Sequence, residues 1–196
     1  MMKHRVMTLA AISLVAVASG LSAHEPSVAS QAGLRGEILA EIDAVEKKLV
    51  DLAGAVPPEK FGWRPGEGVR SVSEVYMHVA GGNYMIPTFI GIKPPEGIDR
   101  GMEKSVTEKD KVVAALKQSF DHLRKAVRDT PDADWDSKVK LFGRIDSSKR
   151  GVFLLLLNHA HEHLGQSIAY ARSNGVAPPW SEGPEPPKPA AAKPGS

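Results

Sequence analysis

The sequence predicts an all-α protein, a four-helix bundle. Three observations predict it. Four long stretches repeat apolar residues at three- and four-residue steps, capping and turn residues separate those stretches, and no segment shows the alternation of a half-buried strand. Val139 to Phe142 comes nearest to a strand and is short.

The chain opens on a segment outside that pattern. Lys3, His4 and Arg5 form a basic start, Val6 to Leu21 is almost wholly apolar, and the small residues Ser22 and Ala23 follow. This is the layout of a secretory signal peptide over 1–23, with cleavage expected after Ala23 and, as the alternative, after Ser22. An uncleaved N-terminal anchor competes with that reading, but the run falls short of the roughly 20 apolar residues that a spanning helix needs. The expected location is therefore exported, periplasmic or extracellular. Export also changes the charge. Lys3 and Arg5 account for the whole formal excess of +2, so the mature chain is neutral and carries no long basic run of the kind that binds nucleic acid. With no cysteine, neither a disulfide nor a cysteine-linked lipid anchor is available. Residues 24–30 read as a short leader. Residues 181–196, made of Pro, Glu, Lys, Ala, Gly and Ser, read as a disordered tail that has too little apolar surface to offset its ordering entropy. The bundle occupies 31–180.

The first helix is predicted from about Gln31 to Ala53, with Leu34, Ile38, Ile42, Val45, Leu49 and Leu52 on one face, and Pro57-Pro58 beyond it. A loop holding Trp63 leads to Ser71, an N-cap residue with Glu74 three positions on, which is a capping-box spacing. Val72, Val75, Val79 and Ile86 stripe the second helix, which ends before Pro94 and kinks or stops at Pro87. The third begins near Thr107, with Asp110 three residues later and Val112, Val113, Leu116, Phe120, Leu123 and Val127 as its apolar line. The gap between Ile92 and Thr107 is long enough for a crossover. The fourth runs from about Ser148 to Asn174 and stops at Asn174-Gly175, just before Pro178-Pro179.

The chemistry lies in the histidines. His159 and His163 are one turn apart on the fourth helix, about 40° from each other at 100° per residue, and His163 borders the buried arc defined by Phe153, Leu156, Leu157, Ala160 and Leu164. His161 points roughly 160° away, onto the wet face. A histidine pair four apart on a helix is a two-ligand metal clip, and a third ligand must come from another helix. His78 fits, since it lies beside Val79 on the second helix and is followed by Gly81-Gly82, where a neighbour or ligand can approach closely. The expected site is one divalent metal on His78, His159 and His163. Zinc, nickel, iron(II) and copper suit three imidazoles equally. Three histidines plus an open position is the pattern of a catalytic rather than a structural site.

Around that site, Gln166 is a candidate to hold a metal-bound water by a hydrogen bond. Gly165 is expected to let two helices pack closely, and Trp63 and Tyr170 are read as pocket wall or core. Glu37, Glu41 and Glu74 are read as solvated carboxylates and His122 as exposed, and His24 would offer amine plus imidazole to copper if it becomes the N-terminus.

The stretch from Ser71 to Ala80 around His78, the stretch from Asn158 to Arg172 around His159 and His163, the Trp63-Arg64-Pro65 element and the Gly175 to Pro179 ending together resemble the DinB-like superfamily, with its YfiT-like metalloenzymes. The resemblance covers about Gly33 to Trp180. It implies a four-helix bundle with a metal held by a histidine of the second helix and an H-x-x-x-H pair of the last, hence His78, His159 and His163. Family members often have Arg where this chain has Leu164. The characterised relatives include cytosolic enzymes that transfer or isomerise low-molecular-weight thiol adducts, so the resemblance speaks to fold and metal more than to reaction. The functional expectation is a metal-dependent hydrolase or thiol transferase on a small molecule, against a non-catalytic metal- or partner-binding bundle of the envelope. The expected partners are a small-molecule substrate and, as an open assembly, a homodimer. No nucleic acid is expected, nor a membrane span after cleavage.

Overall fold

The apolar stripes become the inner faces of four long helices in the computed structural model, which describes residues 28–99 and 101–181. The expected signal peptide, the leader up to Ser27, His24 and the tail beyond Ser181 lie outside the described residues. Among the described residues no helix is long and apolar enough to cross a membrane.

Helix α1 spans Val28–Ala55 and is broken at Gly33, whose backbone (φ 55, ψ −168) lies in a region open to glycine. Its stripe is buried from Ile38 to Leu52, while Leu34 is exposed. Helix α2 spans Val72–Met85 behind the expected capping box. The Ser71 hydroxyl accepts from the Glu74 amide and the Glu74 carboxylate accepts from the Ser71 amide. Pro87 then turns the chain into a 3-10 segment, Ile86–Ile90, closed by Gly91 at φ 86. The crossover contains one short helix, α3, Met102–Ser105. Helix α4 spans Lys109–Asp129. It starts at Lys109, two residues after the expected Thr107, and its N-cap residue, Glu108, makes no side-chain cap. Helix α5 spans Lys149–Ser173, with the Ser148 hydroxyl accepting from the Gly151 amide at its start and Gly175 at φ 76 just beyond its end.

Helices α1 and α2 each pack on both α4 and α5, so α1 faces α2 across the bundle and α4 faces α5. The core between them is made of Val45 and Leu49 of α1, Val75 and Val79 of α2, Leu116 and Phe120 of α4, and Phe153 and Leu156 of α5. Since α2 and α5 are neighbours, histidines on their facing edges meet.

The expectation of a bundle without strands needs one correction. Lys138–Leu141 (β1) and Ile145–Ser148 (β2) form an antiparallel hairpin, with Leu141 opposite Ile145 and Lys138 opposite Ser148. The turn is closed by the Arg144 amide donating to the Leu141 carbonyl at 3.1 Å. Its two central residues, Phe142 (φ 50) and Gly143 (φ 73), both have positive φ, which is the signature of a type I′ hairpin turn. The hairpin runs directly into the N-cap of α5, and its tip leans on the 3-10 segment after α2, where the Phe142 and Phe89 rings meet at 4.9 Å.

Candidate metal centre

The facing edges of α2 and α5 bring the three predicted histidines together. One ring nitrogen from each of His78, His159 and His163 lies within 4.8 Å of the other two. Ring centroids are 4.9 Å apart for His78 and His159, 4.7 Å for His78 and His163, and 4.6 Å for His159 and His163. His163 is buried and the other two are half-buried. Metal–nitrogen bonds of about 2.0–2.1 Å place tetrahedral ligands roughly 3.4 Å apart, so modest ring rotation closes this set onto one ion.

Two of the rings have their orientation fixed by an outer partner. Nδ1 of His78 is 2.9 Å from a carboxylate oxygen of Glu103, on α3. Glu103 in turn accepts from Nε of Arg70 at 2.8 Å. Nδ1 of His163 is 2.8 Å from the amide oxygen of Gln166, whose NH2 group donates to the Tyr170 hydroxyl at 3.0 Å. Each Nδ1–H therefore points outward to an oxygen and leaves Nε2 as the free donor, the usual arrangement behind histidine metal ligands. His159 differs, because its Nδ1 is buried and has no hydrogen-bond partner. A buried nitrogen without a partner is costly, and a cation shared by the cluster would offset that cost. The residues present thus fit a metal ion.

The electrostatics favour neutral imidazoles, which metal binding requires. Burial, with the nearby His163, His78 and Arg70, pushes the His159 pKa down to about 4. Burial also lowers His78, partly opposed by its hydrogen bond to Glu103. Burial alone would raise Glu103, but its bonds to Arg70 and His78 hold it below the ordinary carboxylate range. The His78–Glu103 contact is therefore a neutral imidazole donating to a carboxylate.

A cavity of about 410 Å³ opens beside the cluster, reached by His78, His159 and Glu103 on one side and by Met85, Ile86, Leu155 and Phe142 on the other. Gly82 makes the close approach possible, since a Cβ there would stand 2.7 Å from Cε1 of His159.

Helices α2 and α5 thus carry the cluster, as the H-x-x-x-H spacing implies. The sequence profile of the DinB superfamily matches residues 41–167, well over half of the chain. The chain belongs to the DinB superfamily. Among solved structures, this DinB-superfamily chain is similar to a DinB-like protein from Bacillus cereus, with 19% identity and a TM-score of 0.66 over 74% of this chain and 95% of that one. A DinB-like protein from Bacillus subtilis has 18% identity and a TM-score of 0.56, covering 71% and 92%. A conserved protein from Enterococcus faecalis has 12% identity and a TM-score of 0.58, covering 71% and 95%. At these identities the likeness shows the fold alone. No curated protein matches the chain.

Several sequence expectations change on this DinB bundle. Gln166 lies behind the His163 ring, with its amide oxygen bonded to Nδ1. Gly165 is exposed, and no atom lies within 4 Å of a Cβ built on it, so it is not a helix-packing contact. Glu74 is buried rather than solvated, bonded to Ser71, Arg64 and Lys104. His122 is half-buried against Tyr84, at 5.3 Å, instead of exposed. Trp63 and Tyr170 pack edge-on to each other at 5.3 Å, and neither lines the cavity. Leu164 is a buried core residue. His161, Glu37 and Glu41 are exposed. The residue that sequence reasoning missed is Glu103. It lies in the crossover, where no local pattern in the sequence marks it.

Proposed function

We propose that this chain is an exported, metal-dependent enzyme of the DinB superfamily that acts on a small molecule. The observation that carries the reading is the convergence of three imidazoles, two of which, His78 and His159, line the 410 Å³ cavity. A closed structural site would have no such space beside its ligands, whereas a catalytic site leaves one coordination position open. His78, His159 and His163 would hold the ion. A divalent ion there supplies Lewis acidity, activating a water for hydrolysis or a thiol for transfer.

The chain's own residues prepare the site in three ways. Glu103 and Gln166 orient His78 and His163 and fix the proton on Nδ1 of each. Burial keeps His159 and His78 unprotonated at neutral pH. The apolar wall formed by Met85, Ile86, Leu155 and Phe142 limits water around the reacting position, which strengthens electrostatic effects within it. The basic, apolar and small-residue segments over 1–23 support export.

The test is elemental analysis of the protein purified from its own envelope. One equivalent of a divalent transition metal is expected, and His159→Ala is expected to lose it. Full metal content in His159→Ala shows the site to be misassigned. Mass spectrometry of the same preparation reads the N-terminus, expected at His24, and an intact Met1 removes the export half of the proposal.

A further inference from the structure

The wall of the cavity says something about the ligand that the histidines do not. We infer that the molecule bound at this centre has one metal-binding donor atom on an aliphatic or aromatic body and carries no second anionic group. This inference rests on the proposed metal centre and names its substrate class.

Away from the histidines, the lining is Met85, Ile86, Leu155 and Phe142, with Gly81 and Gly82 adding no polar side chain. None of these described lining residues is Lys or Arg. The single acidic side chain among them is Glu103, which is bonded to His78 and Arg70. Arg70, the cation nearest that carboxylate, already donates to it. A second carboxylate or a phosphate on the ligand, away from the metal, would meet apolar surface and the Glu103 carboxylate, with no Lys or Arg in the lining to offset its desolvation. A hydroxyl-rich body would likewise lack partners. An alkyl or aryl body gains from the same surface.

Phe142 is an independent sign. It sits at the hairpin tip with φ 50, a left-handed backbone that a bulky residue rarely adopts. Its side chain is also 54% exposed, so core burial does not explain its presence. What the conformation achieves is position. The ring stands against Phe89 at 4.9 Å and forms the outer rim of the cavity. Unfavourable backbone geometry that presents an aromatic face at a cavity mouth is what a ligand clamp requires.

The probes are three thiols that share one donor atom. Benzyl mercaptan has an aromatic body, 2-mercaptoethanol a short polar one, and mercaptosuccinate two carboxylates. Each is titrated into the cobalt(II)-loaded protein and followed by thiolate-to-cobalt absorption, after elemental analysis has established one equivalent of cobalt. Benzyl mercaptan is expected to bind at least roughly tenfold more tightly than either of the others, a typical return for apolar complementarity in a pocket. Phe142→Ala and Leu155→Ala are expected to remove most of that preference while keeping the cobalt. Phe142 is exposed, so its variant tests the wall without threatening the core. Failure to bind cobalt sinks the metal reading and this inference with it. One bound equivalent with no preference for benzyl mercaptan, or with a preference that Phe142→Ala and Leu155→Ala both leave intact, overturns this inference alone.

Discussion

The imidazole of His159 lies directly over Gly82 of the neighbouring helix, so close that a Cβ on Gly82 would stand 2.7 Å from Cε1 and 3.0 Å from Nδ1. Real Cβ atoms do not approach that closely, and what must yield is the end of a side chain rather than backbone. Gly82→Ala is therefore expected to displace His159 and weaken metal binding by about 10–100-fold, the range found when a ligand's support is lost. The metal-free fold should keep its thermal stability, because alanine is the better helix residue. Gly81→Ala is the control, since no atom lies within 4 Å of its Cβ. Competition titration against a chromogenic chelator reads both variants. Equal affinity in Gly82→Ala would show that His159 is not held where the metal needs it.

Glu103 acts on the site through His78. Glu103→Ala removes the acceptor that fixes the His78 proton on Nδ1, and metal affinity is expected to fall about tenfold. Glu103→Gln retains an acceptor oxygen and should recover part of the loss. Titration of the two variants against the same chelator separates orientation from charge. If both lose equally, the charge of Glu103 matters and the geometry of its hydrogen bond does not.

The bundle and its histidine cluster were both open to sequence reasoning, because each is periodic. Ile42, Val45, Leu49 and Leu52 repeat as a helix face must, and the same 100° rotation that buries Leu156 beside Ala160 brings His163 under His159 and turns His161 outward. Glu103 and Phe142 follow no period. Glu103 reaches His78 across 25 positions of chain from a four-residue helix, a tertiary contact with no local pattern. The hairpin escaped notice because its turn is built on Phe142-Gly143, where an Asn-Gly or Asp-Gly pair would have announced it. Glu74 was misjudged for the opposite reason. Its capping spacing was visible, but the burial that Arg64 and Lys104 make tolerable was not.

Glu74 joins the helix start to the site. Its carboxylate accepts from the Ser71 amide at 2.8 Å and from Lys104 at 3.0 Å, and Lys104 is the neighbour of Glu103 on α3. Two ties, Glu74–Lys104 and His78–Glu103, thus hold α3 against α2. Glu74→Ala is expected to cost about 1–3 kcal/mol, chiefly from leaving the buried Ser71 amide without its acceptor, as read by denaturant unfolding of the metal-free protein. Glu74→Gln keeps the capping geometry and should cost less. Metal affinity should weaken in Glu74→Ala as well, because α3 carries Glu103. A loss of stability with unchanged metal affinity would show that α3 is held by its other contacts.

Acid should weaken the metal-free protein in two separate windows. The His159 pKa falls from an ordinary 6.5 to about 4 on folding, through burial and the proximity of His163, His78 and Arg70. Above pH 6.5 both states leave it neutral and it contributes nothing. Between 6.5 and about 4 the unfolded chain takes up a proton that the folded chain refuses, so stability falls as pH falls. Glu74 is opposite in kind. Burial would raise it, but the Ser71 amide, Lys104 and Arg64 hold it at about 2, so its contribution is full above 4.5 and is lost as pH falls through about 2. Urea unfolding at pH 7.5, 5.5 and 4.5, after exhaustive chelation, isolates the first window. Stability should drop across it in the wild-type protein, and His159→Asn should reduce the slope, leaving the part due to the lowered His78 and His122, without touching the loss at lower pH. A wild-type protein equally stable at pH 7.5 and 4.5 would mean that His159 is accessible to protons in the folded state, and the neutral His159 inferred for this centre would have to be abandoned.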